Sequence, residues 1–147
     1  PFNDLNENSI QAEEAIFACK ELEKRGIDFI EVSAGMLMDR SPASFTPLIS
    51  SDNQAPFLKY AAQLADRVSV PVISVCGYRA PEVVEKALSE TKITAVSFGR
   101  PLVREPELPK RWKSDRSPAK CVSCNRCTGS FIDGVISCQV EKEQSGL

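Results

Sequence analysis

Histidine is absent from the 147 residues of this chain. Because histidine is the usual acid–base side chain near neutral pH and the commonest metal ligand, both roles would fall to other residue types. The sequence also lacks an apolar run near the ~20 residues of a membrane-spanning helix, a signal peptide, and the G-x-G-x-x-G and Walker nucleotide motifs. We therefore expect a cytoplasmic protein that does not enter membranes and has no dinucleotide-binding fold.

An excess of either charge is missing as well. The chain carries 18 basic and 20 acidic residues, for a formal net charge of -2. Nucleic-acid-binding domains usually show a basic surplus, so we expect no nucleic-acid partner. Hydrophobic residues make up 42% and charged residues 26%, which is typical of a soluble globular domain with a modest core.

Apolar residues recur first at helical and then at strand spacing, in the order α-β-α-β-α-β. The pattern predicts helices from a capping Asn8 to Gly26 and over 56–66 and 81–89, with strands over 27–32, from 71 to 77 and over 92–98. The long segment 36–54 is typical either of a binding loop or of a surface loop. Strands separated by helices imply a parallel sheet, whose strand carboxyl ends share one edge.

Two of these strands end in the same way. Gly77 and Gly99 each close an apolar run and are followed by an arginine and a proline that opens a helix. Glycine permits close approach of the backbone, and Arg100 offers a rigid fork of donors, which together suit a phosphate. Such sites occur after the last two strands of (β/α)8 barrels. The alternative is an ordinary strand-to-helix turn with a solvated arginine.

Three parallel strands do not close a barrel. Both outer strands would expose unpaired backbone edges, which stable domains normally cover. We therefore expect this chain, which begins at Pro1 in loop-like sequence, to continue a longer fold. Alone, it would cover its edges by self-association or by pairing with the missing N-terminal half.

The composition changes after Glu105, where prolines and charged residues predict a loop-rich segment before a cysteine-rich tail. Cys121, Cys124, Cys127 and Cys138 are separated by two, two and ten residues. Four thiolates at such spacing point to a metal before a disulfide in a cytosolic protein. An iron–sulfur cluster, a zinc ion, disulfides and free thiols remain the alternatives.

Three stretches, 26–35, 71–77 and 96–106, resemble in order and spacing the second half of the NADH:flavin oxidoreductase (Old Yellow Enzyme-like) family. The tail resembles the iron–sulfur segment of the 2,4-dienoyl-CoA reductase branch, although two of its cysteine gaps are shorter than in that branch. The resemblance implies a partial (β/α)8 TIM barrel, its last three strands and their helices over residues 1–105, with a Cys-rich C-terminal extension over residues 106–147.

The same resemblance implies a role for four residues of the barrel part. Gly77 and Gly99 would present backbone amides to the phosphate of FMN, Arg100 would contact the phosphate and the flavin edge, and Ser33 would lie near the ribityl chain or the phosphate. The four tail cysteines would hold an iron–sulfur cluster, with zinc as the alternative.

The implied activity is transfer of hydride from NAD(P)H through FMN to a small electrophilic acceptor. The family's substrate-anchoring and proton-donating residues belong to the first half of the barrel, so no catalytic residue is assigned here, and we expect the chain alone to be inactive. The alternatives are a phosphate-binding half-barrel of another enzyme and a non-catalytic metal-binding scaffold.

Overall fold

The computed structural model describes residue 2 and residues 10–34, 53–127 and 134–146. Its elements follow the order α1 (Ala12–Lys24), β1 (Ile30–Val32), α2 (Leu58–Ala65), β2 (Val72–Val75), α3 (Pro81–Glu90), β3 (Ala95–Ser97), α4 (Arg100–Arg104), α5 (Leu108–Arg111) and α6 (Gln139–Ser145). The predicted alternation of helices and strands is confirmed. The segment 36–52, most of the predicted binding or surface loop, lies outside the described residues.

The three strands form one parallel sheet in the order β1-β2-β3. Each strand is shorter than predicted, because only part of each predicted range pairs with a neighbour: Ile30 lies opposite Val72, and Ile73 opposite Ala95. A strand that is next in sequence is therefore also next in space. The predicted parallel sheet is confirmed.

The helices cover one face of this sheet. Val32 and Val72 point to that face, and they pack in one apolar core with residues of α1, α2 and α3. The core of buried residues consists of Phe2, Ala15, Ile16, Val32, Ala61, Leu64, Ala65, Val72, Tyr78, Ala87 and Ile93. Because side chains alternate along a strand, the intervening residues point to the opposite face, which no core residue covers among the parts of the chain described here.

The start of α1 differs from the prediction. The helix begins at Ala12, and its N-terminal cap is Gln11, whose backbone N–H donates to the Glu14 carboxylate at 2.9 Å. Glu14 thus satisfies a backbone donor that the helix leaves free. The predicted cap, Asn8, lies outside the described residues.

Two prolines lie at helix starts, as predicted. Pro81 is the first residue of α3, and Pro101 lies in the first turn of α4. A third was misread, because the stretch after Glu105 was predicted as loop but contains α5 with Pro109 in its first turn. Proline is tolerated there because the first turn of a helix leaves its N–H groups unpaired. None of the helices in the described ranges is long and apolar enough to span a membrane.

Candidate functional site

The carboxyl ends of the three strands lie on one edge of the sheet, as predicted. Ser33 follows β1 and is exposed, Gly77 follows β2 by one residue, and Gly99 follows β3 by one residue. On the side of β1 away from β2, the Ser33 carbonyl accepts a hydrogen bond from the Phe2 N–H at 2.6 Å. Residue 2 thus lies beside the edge strand at its carboxyl end.

The turn after β2 is held tightly by the protein itself. Cys76 and Gly77 have φ angles of 90° and 79°, a region that favours glycine. A Cβ on Gly77 would lie 2.8 Å from Pro56 Cδ and 2.9 Å from the Ala55 backbone nitrogen. The close approach that the sequence predicted at Gly77 is therefore made by the segment before α2.

A buried hydrogen bond supports this turn from below. The Tyr78 hydroxyl and Ser74 Oγ are 2.7 Å apart, and the two residues are 1% and 0% exposed. Burial raises the pKa of Tyr78, while the hydrogen bond to Ser74 acts in the opposite direction. The ring of Tyr78 also makes an edge-on contact with Phe98, which in turn contacts Trp112. No local pattern in the sequence predicted the hydrogen bond between Tyr78 and Ser74.

The turn after β3 is open by contrast. Gly99 is exposed, and no atom of the described structure lies within 4 Å of the position of a Cβ on it. The φ of Gly99 is -107°, so the backbone there does not need glycine for its φ. The space beside Gly99 is free for a group that approaches the backbone closely.

Arg100 begins α4, and its side chain is directed to the cysteine-rich tail. Its Nη1 donates a hydrogen bond to Oδ1 of Asn125, a buried residue between Cys124 and Arg126. Arg100 also faces the Cys76 thiol: burial raises the pKa of Cys76, and the charge of Arg100 and its hydrogen bond to the thiol lower it. Arg100 therefore connects the end of β2 with the tail.

The four tail cysteines line one small cavity together with Arg100. The other residues of its wall are Val103, Lys120, Val122, Asn125, Gln139 and Val140. All six cysteines of the chain fall within the described residues, and none of them forms a disulfide there. No group of three or more histidine, cysteine, aspartate or glutamate side chains is placed to hold a metal ion in the described ranges.

Neighbouring thiols and an arginine shift the pKa of a cysteine in this cavity in opposite directions. Burial raises the pKa of Cys127, the neighbouring Cys121 and Cys124 raise it further, and Arg100 lowers it. Arg104, one turn after Arg100 on α4, donates from Nη1 to Cys138 Sγ at 3.5 Å. Guanidinium groups therefore lie where several thiolates would otherwise repel each other.

Several hydrogen bonds hold the segment before the cysteines in place next to the three-stranded sheet. Arg111 donates to the Glu105 carboxylate at 3.1 Å and to oxygens of Asp115, Ser117 and Pro118. The other oxygen of Glu105 accepts the backbone N–H of Lys120 at 2.5 Å. The Ala119 N–H donates to the Arg79 carbonyl at 2.7 Å, close to the Gly77 turn. The segment before the cysteines is thus held next to the turn that follows β2.

Among the described residues, the four predicted metal residues line one cavity, whereas Ser33 and Arg100 of the predicted phosphate site lie in two different cavities. Ser33 belongs to a cavity of about 370 Å³ between α1 and β1, while Arg100 belongs to the cysteine cavity. Sequence reasoning missed Asn125 and Arg104 as neighbours of the cysteines, and Gln144 as a partner of Arg104. Asn125 stands inside the cysteine motif, which was the one available signal; Arg104 and Gln144 meet only through the fold.

Comparison with known proteins places the chain in a family. Residues 1–118 match the model of the NADH:flavin oxidoreductase / NADH oxidase family. An NADH oxidase of Thermoanaerobacter brockii is 36% identical over 82% of this chain and 18% of its own length. A bilirubin reductase of Clostridium symbiosum is 32% identical over 76% of this chain and 31% of its own length. The chain thus spans less than a third of the length of these relatives.

Two further matches extend over the cysteine-rich tail. A metal reductase of Desulforamulus reducens is 30% identical over 96% of this chain and 21% of its own length. The structure of a 2-naphthoyl-CoA reductase in complex with 2-naphthoyl-CoA superposes with a TM-score of 0.73 at 25% identity, over 95% of this chain and 21% of that one. The chain belongs to the NADH:flavin oxidoreductase / NADH oxidase family.

Proposed function

We propose that this chain is the C-terminal part of an FMN-dependent NAD(P)H oxidoreductase of the ene-reductase type. The family match over residues 1–118 carries this proposal. FMN, when bound, supplies hydride transfer between the nicotinamide and an electrophilic acceptor. The residues of this chain contribute the binding of the cofactor, since the proton-donating and substrate-anchoring groups belong to the preceding half of the barrel.

The sheet supports the partial barrel. Three parallel strands in sequence order, with the core helices on one face, are the arrangement of consecutive units in a (β/α)8 barrel. The residues on the other face, Glu31, Ile73, Val75, Ala95 and Ser97, would then point into the barrel interior. We propose that residues 1–105 form this part of the barrel, and that the remaining strands or a second copy cover its edges.

The phosphate site is proposed at the strand ends. Ser33, Gly77 and Gly99 share one edge of the sheet, and the free space beside Gly99 supports a close approach of a phosphate to its backbone. Ala55 and Pro56 occupy the space beside the Cα of Gly77. A contribution to phosphate binding would therefore come from the whole turn after β2 and not from a close approach to Gly77 itself. Arg100 would serve the phosphate while its other donors hold Asn125 and the Cys76 thiol.

The tail over residues 106–147 is proposed to hold an iron–sulfur cluster through its four cysteines. The donor set supports this, because four cysteine side chains outside any disulfide, and no aspartate or glutamate, line one cavity in the described residues. A zinc ion needs four sulfurs about 2.3 Å from one point. No group of three or more such side chains is placed to hold a metal ion in the described ranges, so the choice of a cluster, with zinc second, rests on the resemblance of the tail.

Flavin binding tests the main proposal. Purified full-length protein is expected to show the absorbance of bound flavin, and protein that stays colourless after FMN addition would contradict the proposal. Arg100→Ala should weaken FMN binding by about 1.5–3 kcal/mol, the range for a hydrogen bond to a charged group. Arg67→Ala is the matched control, because Arg67 is exposed and follows α2 at the opposite edge of the sheet. Equal affinity of both variants would remove Arg100 from the phosphate site.

A separate measurement tests whether the chain is active without the rest of the barrel. The isolated chain should not oxidise NADH, since it lacks the other barrel strands. Turnover of NADH by the isolated chain would overturn this, and a compact, stable monomer in sedimentation would contradict the proposed covering of the sheet edges.

A further inference from the structure

One arginine near the cysteine cavity contacts a sulfur atom directly. Arg104 is the last residue of α4, and its Nη1 lies 3.5 Å from Cys138 Sγ. We propose that Arg104 is a positioning residue of the cysteine site, which raises the reduction potential of the cluster held there through an N–H···S hydrogen bond to Cys138. This inference rests on the proposed iron–sulfur function of the tail.

The orientation of Arg104 is fixed by a second partner. Its Nη2 donates to Oε1 of Gln144 at 2.6 Å, on the exposed side of α6. Cys138 caps the N-terminus of the same helix. Because the guanidinium is a rigid planar fork, a donor held by Gln144 determines where the other donor points. The pair of contacts therefore keeps one N–H directed at the sulfur and links α4 with α6.

A cationic donor at a ligating sulfur has a predictable effect on the cluster. Adding one electron increases the negative charge on the cluster and its thiolates. A hydrogen bond from a guanidinium stabilises the more negative, reduced form more than the oxidised form, so the reduction potential rises. No covalent bond of the protein forms or breaks in this step.

The chain offers an internal control for the charge alone. Arg126 is also a guanidinium in the field of Cys124 and Cys138. Its Nη1 and Nη2 both donate to the carboxylate of Glu143, so these donors are engaged by oxygen and not by sulfur. If only the presence of a nearby cation mattered, Arg104 and Arg126 would have comparable effects. The direct contact with sulfur predicts that they differ.

The test is a redox titration of the anaerobically purified full-length protein, with dithionite as the one-electron reductant and the spectrum of the reduced cluster as the readout. At the midpoint potential of the unaltered protein, Arg104→Gln should lower the ratio of reduced to oxidised cluster about tenfold, equivalent to ~59 mV for one electron. Gln144→Ala should shift the potential in the same direction by less, because it removes only the orientation. Arg126→Gln should shift it least.

Each outcome decides between the alternatives. Equal shifts for Arg104→Gln and Arg126→Gln, or no shift for the former, would overturn the role of the N–H···S contact while leaving the cluster in place. If Arg104→Gln fails to retain iron and sulfide, the Gln144→Ala variant decides, and an unchanged potential there refutes the inference. Unaltered protein that contains no iron or sulfide would instead refute the proposed cluster, and the inference with it.

Discussion

Gly77 has two reasons to be glycine: its positive φ and the atoms packed against the position of a Cβ. A substitution there, compared with one at a glycine that has only the first reason, measures the two costs separately. Replacement by alanine places a Cβ 2.8 Å from Pro56 Cδ and 2.9 Å from the backbone nitrogen of Ala55, at a φ of 79°. The positive φ costs about 1–2 kcal/mol for a residue with a side chain. Forcing an extra carbon against packed atoms costs about 1–3 kcal/mol more, since the contact with Ala55 is with the main chain. Gly77→Ala should therefore lower the free energy of unfolding by about 2–5 kcal/mol in total.

Gly26 is the matched control for this prediction. It follows the end of α1 with a φ of 85°, and no atom lies within 4 Å of its Cβ position. Gly26→Ala should therefore pay the conformational cost alone, about 1–2 kcal/mol. Urea unfolding of both variants, with the midpoint and the slope fitted together, measures the difference. If both substitutions lower the stability equally, the segment at Ala55 and Pro56 does not press on the turn, and the reasoning fails.

Three other substitutions test separate parts of the molecule. Tyr78→Phe should lower the stability by about 1–3 kcal/mol by leaving the Ser74 hydroxyl unpaired. Burial raises the pKa of Tyr78 above its ordinary value of 10.0, so the stability that the neutral hydroxyl contributes is complete below pH 10 and is lost as the pH rises through the raised pKa. The phenylalanine variant should therefore lose less stability at alkaline pH, and an identical loss in both proteins would contradict this. Gly99→Ala should lower the free energy of unfolding less than Gly77→Ala does, because no atom of the described structure lies near its Cβ position, but it should weaken FMN binding; unchanged binding would place the phosphate elsewhere. Arg111→Lys should speed cleavage by trypsin after Lys120, since lysine cannot hold so many acceptors at once; unchanged cleavage would mean that the segment is held by other contacts.

Local patterns were enough to predict the alternation of helices and strands. Pro81 and Pro101 predicted helix starts because proline fits the first turn, and the apolar runs around Val72 and Val96 predicted the strands. The same reasoning misread Pro109, since proline marks loops and helix starts alike and only the fold selects one. The exact strand ends also depend on pairing between distant residues, which no local pattern contains.

The candidate site was predictable to the extent that its residues are close in sequence. The spacing of Cys121, Cys124 and Cys127 predicted a shared site, and all three line one cavity. The contact between Arg104 and Cys138 was not predictable, because it joins residues 34 positions apart through the packing of α4 and α6. At Gly77, the sequence predicted a close approach but could not show that the protein itself makes it.

The order of the strands also has a consequence for how such a chain can change during evolution. Each strand of the β1-β2-β3 sheet pairs with the next one in sequence, and each unit of a helix and a strand leaves the same kind of edge for its neighbour. A gene segment encoding one unit can therefore be duplicated, exchanged or joined to another copy without rethreading the units that are already there. Recombination at the boundaries between units would preserve the hydrogen-bonding pattern, while recombination within a strand would break it.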